Sequence, residues 1–360
     1  MPSEAAFPLL NLPHVAVRDI LLKLQCSEQL CLSIISKRCW RLVRSLKNAT
    51  IDGLHVQFVQ NFVKITTRVS EQSHPLWFFK FESIRSMNIL RMENIDYKLY
   101  KIGSDELRIR HVGSLWVTYI LHFHSTEEFI KAAIDYLMDL FKCSIHTVNV
   151  LDSYKQPLPE LTAIFDRCER LIFTRPDAQF ANDYVKNILE NITISKNLVL
   201  SLDRGNRLFA DLTKMRLIES IDIRGETNRF YKRLLFEANC TSAILKTGYS
   251  NFTPAECVDF VGNWMNSEAP KLQYASIVTT RRMGYAEFEQ FGLLPWNPNA
   301  RGRMFRCESL AVDCSIGRDI IRNDGLMATI MCPPMNMIFF LVWHNRFPDI
   351  TGARIIGRQM

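Results

Sequence analysis

Apolar positions in the first fifty residues recur with a helical period. Val17, Ile20, Leu21 and Leu24 fall at i, i+3, i+4 and i+7, one face of a helix. Leu12-Pro13 stands just before it, and proline disfavours helix in the residue that precedes it, so the helix is expected to begin there. Ser27 is placed to cap a second helix carrying Leu30, Cys31, Ile34 and Ile35. Ser36 is placed to cap a third, in which Trp40, Val43 and Leu46 share a face. Three such short helices bury little core. Units this small usually lean on a metal, a disulfide or a partner, and the absence of any CxxC pair leaves the partner.

After residue 50 the period changes. Gln57 to Thr67, Lys80 to Met92 and Val112 to Phe123 carry alternating or β-branched apolar positions, the pattern of strands. Ser125 with Glu128 forms a capping box for a helix whose apolar face holds Phe129, Ala132, Ala133, Tyr136, Leu137 and Leu140. This β-rich region, 51–144, is expected to cap a run of repeated strands beginning at residue 145. There, short β-prone runs recur at Ile145 to Val150, Arg170 to Phe173, Asn197 to Leu202, Ser220 to Ile223, Ala243 to Lys246 and Tyr274 to Val278. Their spacing, roughly 23 to 32 residues with one strand each, is close to the leucine-rich-repeat period. A generic α/β domain with a parallel sheet is the other reading of the same pattern.

Helices are expected between these strands. Asn182 to Asn191 aligns Tyr184, Val185, Ile188 and Leu189. Thr253-Pro254-Ala255-Glu256 is a capping box with proline in the first turn, and its helix places Cys257, Phe260, Val261 and Trp264 on one stripe that should lie between consecutive repeats. Near the end, Asn323-Asp324-Gly325 marks a hairpin turn. The run Met337 to Val342 reads as a buried strand closing the far end of the repeat sheet.

Two stretches resemble a known family. Leu12-Pro13, the run Val17-Ile20-Leu21-Leu24, Leu30 and then Ile35-Ser36-Lys37-Arg38 resemble an F-box, and Phe7-Pro8-Leu9-Leu10 resembles the preface seen in nematode members. Cys39 stands where many members carry Trp. The stretch Asp319 to Ile330, Phe339 to Trp343, and Phe260-Val261-Gly262-Asn263-Trp264 are similar to the F-box-associated type 2 domain of nematode F-box proteins, over roughly 190–343. Together with the strand spacing above, the resemblance gives an α/β chain: an N-terminal three-helix F-box (5–48), the β-rich region (51–144), and a divergent leucine-rich-repeat-like β/α recognition domain (145–345) with a C-terminal β-hairpin cap. It implies docking on the Skp-type adaptor of a cullin–RING ubiquitin ligase through Leu12, Pro13, Val17, Ile20, Leu21, Leu24, Leu30, Ile35 and Lys37. A protein substrate, not identifiable from sequence, would be recruited by the β/α domain. A protein-interaction scaffold without a ligase link is the alternative.

Composition narrows the chemistry. Of 360 residues, 48% are hydrophobic and 22% charged, an ordinary globular balance. The seven-residue run Met337 to Trp343 is about a third of a membrane span, and the first residues lack the basic start of a secretory signal, so a cytoplasmic or nuclear protein with no membrane partner is expected. The 10 cysteines are scattered, which fits reduced thiols. The net charge is +7, and its one cluster, Lys37, Arg38, Arg41, Arg44 and Lys47, fits a solvated helix face better than a nucleic-acid stripe. Phosphate-binding loops, a nucleophile elbow and HExxH are absent from the sequence. His122 and His124 would share a strand face but lack further ligands nearby, and Cys307, Asp313 and Cys314 read as packing. No enzyme activity, metal or cofactor is expected.

Overall fold

The computed structural model describes residues 11–46, 51–59, 62–69, 72–82, 98–102, 105–112, 115–121, 126–151, 160–174, 181–201, 218–224, 242–245, 252–267, 271–307 and 310–356. The protein is mixed α/β, with helices at its N-terminus and several sheets behind them. It divides into two compact units, Met1–Cys168 and Glu169–Met360.

The first unit opens with α1 (His14–Lys23), α2 (Cys26–Ile35) and α3 (Lys37–Arg44). Next come β1 (Ile51–Val59), β2 (Phe62–Val69), β3 (Gln72–Glu82), β4 (Lys98–Ile102), β5 (Asp105–Val112), β6 (Leu115–Leu121), α4 (Thr126–Phe141), β7 (Ile145–Leu151) and the short α5 (Leu161–Ile164). The strand order is β7-β1-β2-β3-β6-β5-β4. The β1–β7 and β3–β6 pairs are parallel and the others antiparallel. Along β1, Leu54, Val56 and Phe58 are buried and alternate with half-buried His55, Gln57 and Val59, the period-two signature of a sheet with one covered face. One expectation changes here: the run 57–67 is two strands rather than one, with Val59 opposite Phe62. The strand at 145–151 is hydrogen-bonded in parallel to β1. Of the expected strand Lys80 to Met92, residues 83–92 lie outside the described residues, as do Phe7 to Leu10, His122 to Ser125 and Lys47.

The second unit begins with β8 (Arg167–Thr174), α6 (Ala181–Asn191), β9 (Thr193–Ser201), β10 (Ser220–Arg224) and β11 (Ser242–Leu245). They follow one another across a sheet in the order β8-β9-β10-β11, and both β9–β10 and β10–β11 are parallel. The serial strand pattern of the sequence therefore holds over this stretch. It fails at Tyr274. After α7 (Pro254–Asn266), β12 (Tyr274–Val278) runs antiparallel to β18 (Met337–Trp343) in a separate five-stranded sheet. The other strands of that sheet are β13 (Leu294–Pro295), β16 (Arg318–Ile321) and β17 (Met327–Met331), and the order is β12-β18-β17-β16-β13. A 3-10 helix (Tyr285–Phe291) precedes β13, and a three-stranded sheet joins β14 (Met304–Cys307), β15 (Leu310–Asp313) and β19 (Arg354–Ile356).

The expected hairpin forms: β16 and β17 pair antiparallel across a turn in which Gly325 takes φ +85°. The run Met337 to Trp343 is nevertheless interior to the five-stranded sheet and closes no end of the parallel one. Its uninterrupted apolar character has a simple cause, because both of its faces are covered. Phe339, Leu341 and Trp343 join Phe305, Val312 and Tyr274 in one core cluster. On the other face Phe340 meets Phe260 and Trp264 of α7 edge-on, with ring centroids 5.3 and 5.0 Å apart. The apolar stripe Cys257, Phe260, Val261 and Trp264 is buried as the spacing predicts, but against β18 rather than between repeats.

Candidate docking surface

Each N-terminal helix is set by a local device. The Pro13 carbonyl accepts the first bond of α1 from the Val17 amide at 3.1 Å. In α2 the helix begins two residues earlier than a Ser27 cap would dictate. The Gln25 N–H donates to Glu28 Oε2 at 2.7 Å, so the glutamate fixes the start and Ser27 is buried inside the helix. Ser36 caps α3 as expected, its Oγ accepting from the Cys39 amide at 3.1 Å. The end of α1 is closed from outside: the Gln29 carboxamide donates to the carbonyls of Leu21 (3.0 Å), which also accepts the Leu24 N–H at 3.2 Å, and Leu24 (3.1 Å). Nothing in the hydrophobic pattern pointed to Gln29. A buried glutamine directly after a capping glutamate is the only trace.

The helices are joined to the rest of the first unit. Ser33 Oγ and Tyr136 Oη lie 2.8 Å apart, and Arg44 pairs with Asp139 at 2.8 Å while its guanidinium sits 5.0 Å from the Trp40 ring centroid. Burial pushes the Tyr136 hydroxyl up to about 12, so it stays protonated and able to donate. The expected dependence of these helices on an outside partner for their core is thus relaxed by α4 of the same chain.

The residues expected to dock divide into three groups. Val17, Leu21 and Leu30 are buried in the chain's own fold, Val17 and Leu21 in a cluster with Leu46 that Leu12, Leu24 and Leu42 flank. Leu12, Ile20 and Leu24 are half-buried, whereas Pro13, Ile35 and Lys37 are exposed. The regular apolar stripe of α1 is therefore turned inward, for the reason any amphipathic stripe is: the chain supplies a cover for it. Two apolar residues outside that set stay exposed together with Ile35. Val15 (70% exposed) and Leu22 (46%) lie seven residues, two turns, apart on α1, and Ile35 (72%) ends α2. Off-stripe apolar residues break helical periodicity, so pattern reading passes over Val15 and Leu22. Cys39 is buried and Trp40 half-buried, so the cysteine takes the inner position on α3.

In the second unit an open groove of about 540 Å³ runs between α7 and the 3-10 helix, lined by Asp259, Asn263, Asn266, Gln290 and Phe291. Burial pushes Cys314 and Cys332 up to about 12, and Cys143 of the first unit up to about 11, so all three are protonated thiols at neutral pH. Cys307 and Cys314 are buried core residues. Among the described residues no group of three or more His, Cys, Asp and Glu stands together, and no helix is long and apolar enough to cross a membrane.

Three uncharacterized proteins of Caenorhabditis elegans are similar to this chain. One is 23% identical over 96% of this chain and 80% of its own length. Another is 22% identical with the same coverage, and a third is 22% identical over 94% of this chain and 93% of its own. No family model matches the chain. No solved structure matches it.

Proposed function

We propose that this protein is the substrate-recruiting F-box subunit of an SCF-type cullin–RING ubiquitin ligase, acting in the cytoplasm or nucleus. The N-terminal helices dock on the Skp-type adaptor, and the β/α region of the second unit, read as divergent leucine-rich-repeat-like strands followed by an F-box-associated type 2 region, recruits a protein target. The observation that supports this best is the outward apolar set Val15, Leu22 and Ile35 on a capped three-helix unit whose other apolar residues are largely covered. Large exposed aliphatics on short helices are the surface a docking partner covers. Two of them, fully buried on docking, contribute about 1.5–3 kcal/mol each.

The test is co-precipitation of a Skp-type adaptor with the full chain and with a Val15→Asp/Leu22→Asp variant. Both positions are exposed, so the variant should keep the wild-type melting temperature and lose at least ~100-fold in adaptor affinity. Absence of adaptor binding by the wild type, or unchanged binding by the folded variant, rejects the reading. A protein-interaction scaffold with no ligase link is the second reading, and one observation favours it: the bonds from Ser33 to Tyr136 and from Arg44 to Asp139 make the helices an integral layer of the first unit. The same experiment separates the two.

A further inference from the structure

Two histidines 91 positions apart in sequence meet on the half-buried face of the first unit's sheet. His55 of β1 and His146 of β7 have ring centroids 4.8 Å apart, with the planes tilted by 39°. The meeting depends on an irregularity in the ladder. Leu54 pairs with Ile145 but His55 pairs with Thr147, so His146 is an extra residue in a bulge of the β1–β7 pair. Bulges re-aim a side chain at the cost of regular pairing. Gly53 completes the device. It adopts φ +139°, and a Cβ there would stand 2.8 Å from both His146 Cβ and the Ser144 carbonyl oxygen. A strand that carries a glycine and a bulge at one point gives up packing and pairing, and here both irregularities bring the two imidazoles together.

We propose that His55 and His146 form a two-imidazole site for a borderline divalent transition cation of the zinc, nickel or copper(II) kind, clasping β1 to β7. At a metal–nitrogen distance of about 2.0–2.1 Å and a tetrahedral angle, two coordinated imidazoles place their ring centroids about 5 Å apart, which the observed pair matches. His146 Nδ1 lies 2.8 Å from Thr147 Oγ1. That contact engages Nδ1, the role outer partners of ligating histidines play, so Nε2 is the nitrogen assigned to the cation. One rung further along the same face, opposite Gln57, Asn149 presents a buried Oδ1 with no hydrogen-bond partner. No third His, Cys, Asp or Glu joins the pair among the described residues, so solvent completes the coordination and the cation exchanges freely.

The experiment titrates Zn²⁺ alone into the full chain by calorimetry, and into His55→Gln and His146→Gln variants checked for the wild-type circular dichroism spectrum. The expected result is one equivalent bound by the wild type, an affinity at least about tenfold weaker in either variant, and a zinc-dependent rise in melting temperature that both variants lose. If a variant misfolds, ring-nitrogen NMR shifts of the wild type on zinc addition decide instead, because only ligating nitrogens move strongly. Absence of zinc binding by the wild type, binding that both folded variants retain, or zinc-induced shifts confined to other histidines overturns the site.

Discussion

Asp319→Asn should be among the most damaging conservative substitutions in this protein. Arg301 is fully buried, and its guanidinium is held by the Asp319 carboxylate, with Nε at 2.9 and 3.0 Å from the two oxygens and Nη2 at 2.9 Å. The remaining donors go to the carbonyls of Gly302 and Cys314, both at 3.0 Å. Asp319 also accepts from Thr329 Oγ1 at 2.6 Å, and that hydroxyl accepts from Trp343 Nε1 at 2.7 Å, while the guanidinium sits 4.8 Å from the Trp343 ring centroid. Asparagine keeps the volume and removes the charge, which leaves an uncompensated cation in the core. Breaking a buried pair in this way costs about 3–5 kcal/mol, a large share of the roughly 5–15 kcal/mol that holds a domain together. At an m-value of about 2 kcal/mol/M the second unit's urea midpoint should fall by about 1.5–2.5 M. Trp343 fluorescence follows the transition at the network itself. The companion variant Arg301→Met/Asp319→Leu removes both charges and should recover most of the loss, because apolar replacement of a whole buried pair is often neutral. A loss under about 1 kcal/mol in the single variant, or a double variant no better than the single, would refute the reasoning.

Asp313 makes acid stability testable. Its side-chain bonds to Arg303, at 2.6 and 3.0 Å, and then those to Ser315, hold its carboxyl down at about 2. A folded-state value below the unfolded value near 3.9 stabilises the fold above about pH 4, and that contribution should disappear as pH falls towards 2. Asp313→Asn should flatten that part of a pH–melting curve and leave its neutral limb parallel to wild type. Gln29→Leu removes the side-chain donor of the Leu24 carbonyl and leaves the Leu21 carbonyl only the Leu24 N–H at 3.2 Å, so it should cost about 1–3 kcal/mol. Hydrogen exchange should show that loss concentrated in α1; uniform loss across the first unit would count against the cap.

What the sequence determined by itself is local. The Thr253–Glu256 box was legible because all of its atoms lie within four residues, and the structure shows both reciprocal bonds, at 2.8 and 3.3 Å. The Ser36 cap, the hairpin turn before β17 and the buried stripe of α7 were legible for the same reason. Tertiary structure alone decided which surfaces met. Met337 to Trp343 reads as a buried strand in any sheet, and only the antiparallel pairing of β12 and β17 with β18 placed it inside a second sheet. An amphipathic stripe states that a face will be covered and not by what, so Val17 and Leu21 were open to a partner until Leu32 of α2, Leu42 of α3 and Leu46 covered them. Arg301 carries no pattern at all. Its burial exists because Asp319, Thr329 and Trp343 converge from three strands. His55 and His146 likewise become neighbours only through a bulge that no local propensity encodes. Capping and periodicity act over a few residues through bonds the chain makes with itself. Partner choice among strands depends on the free energy of the whole packed core, which no short window contains.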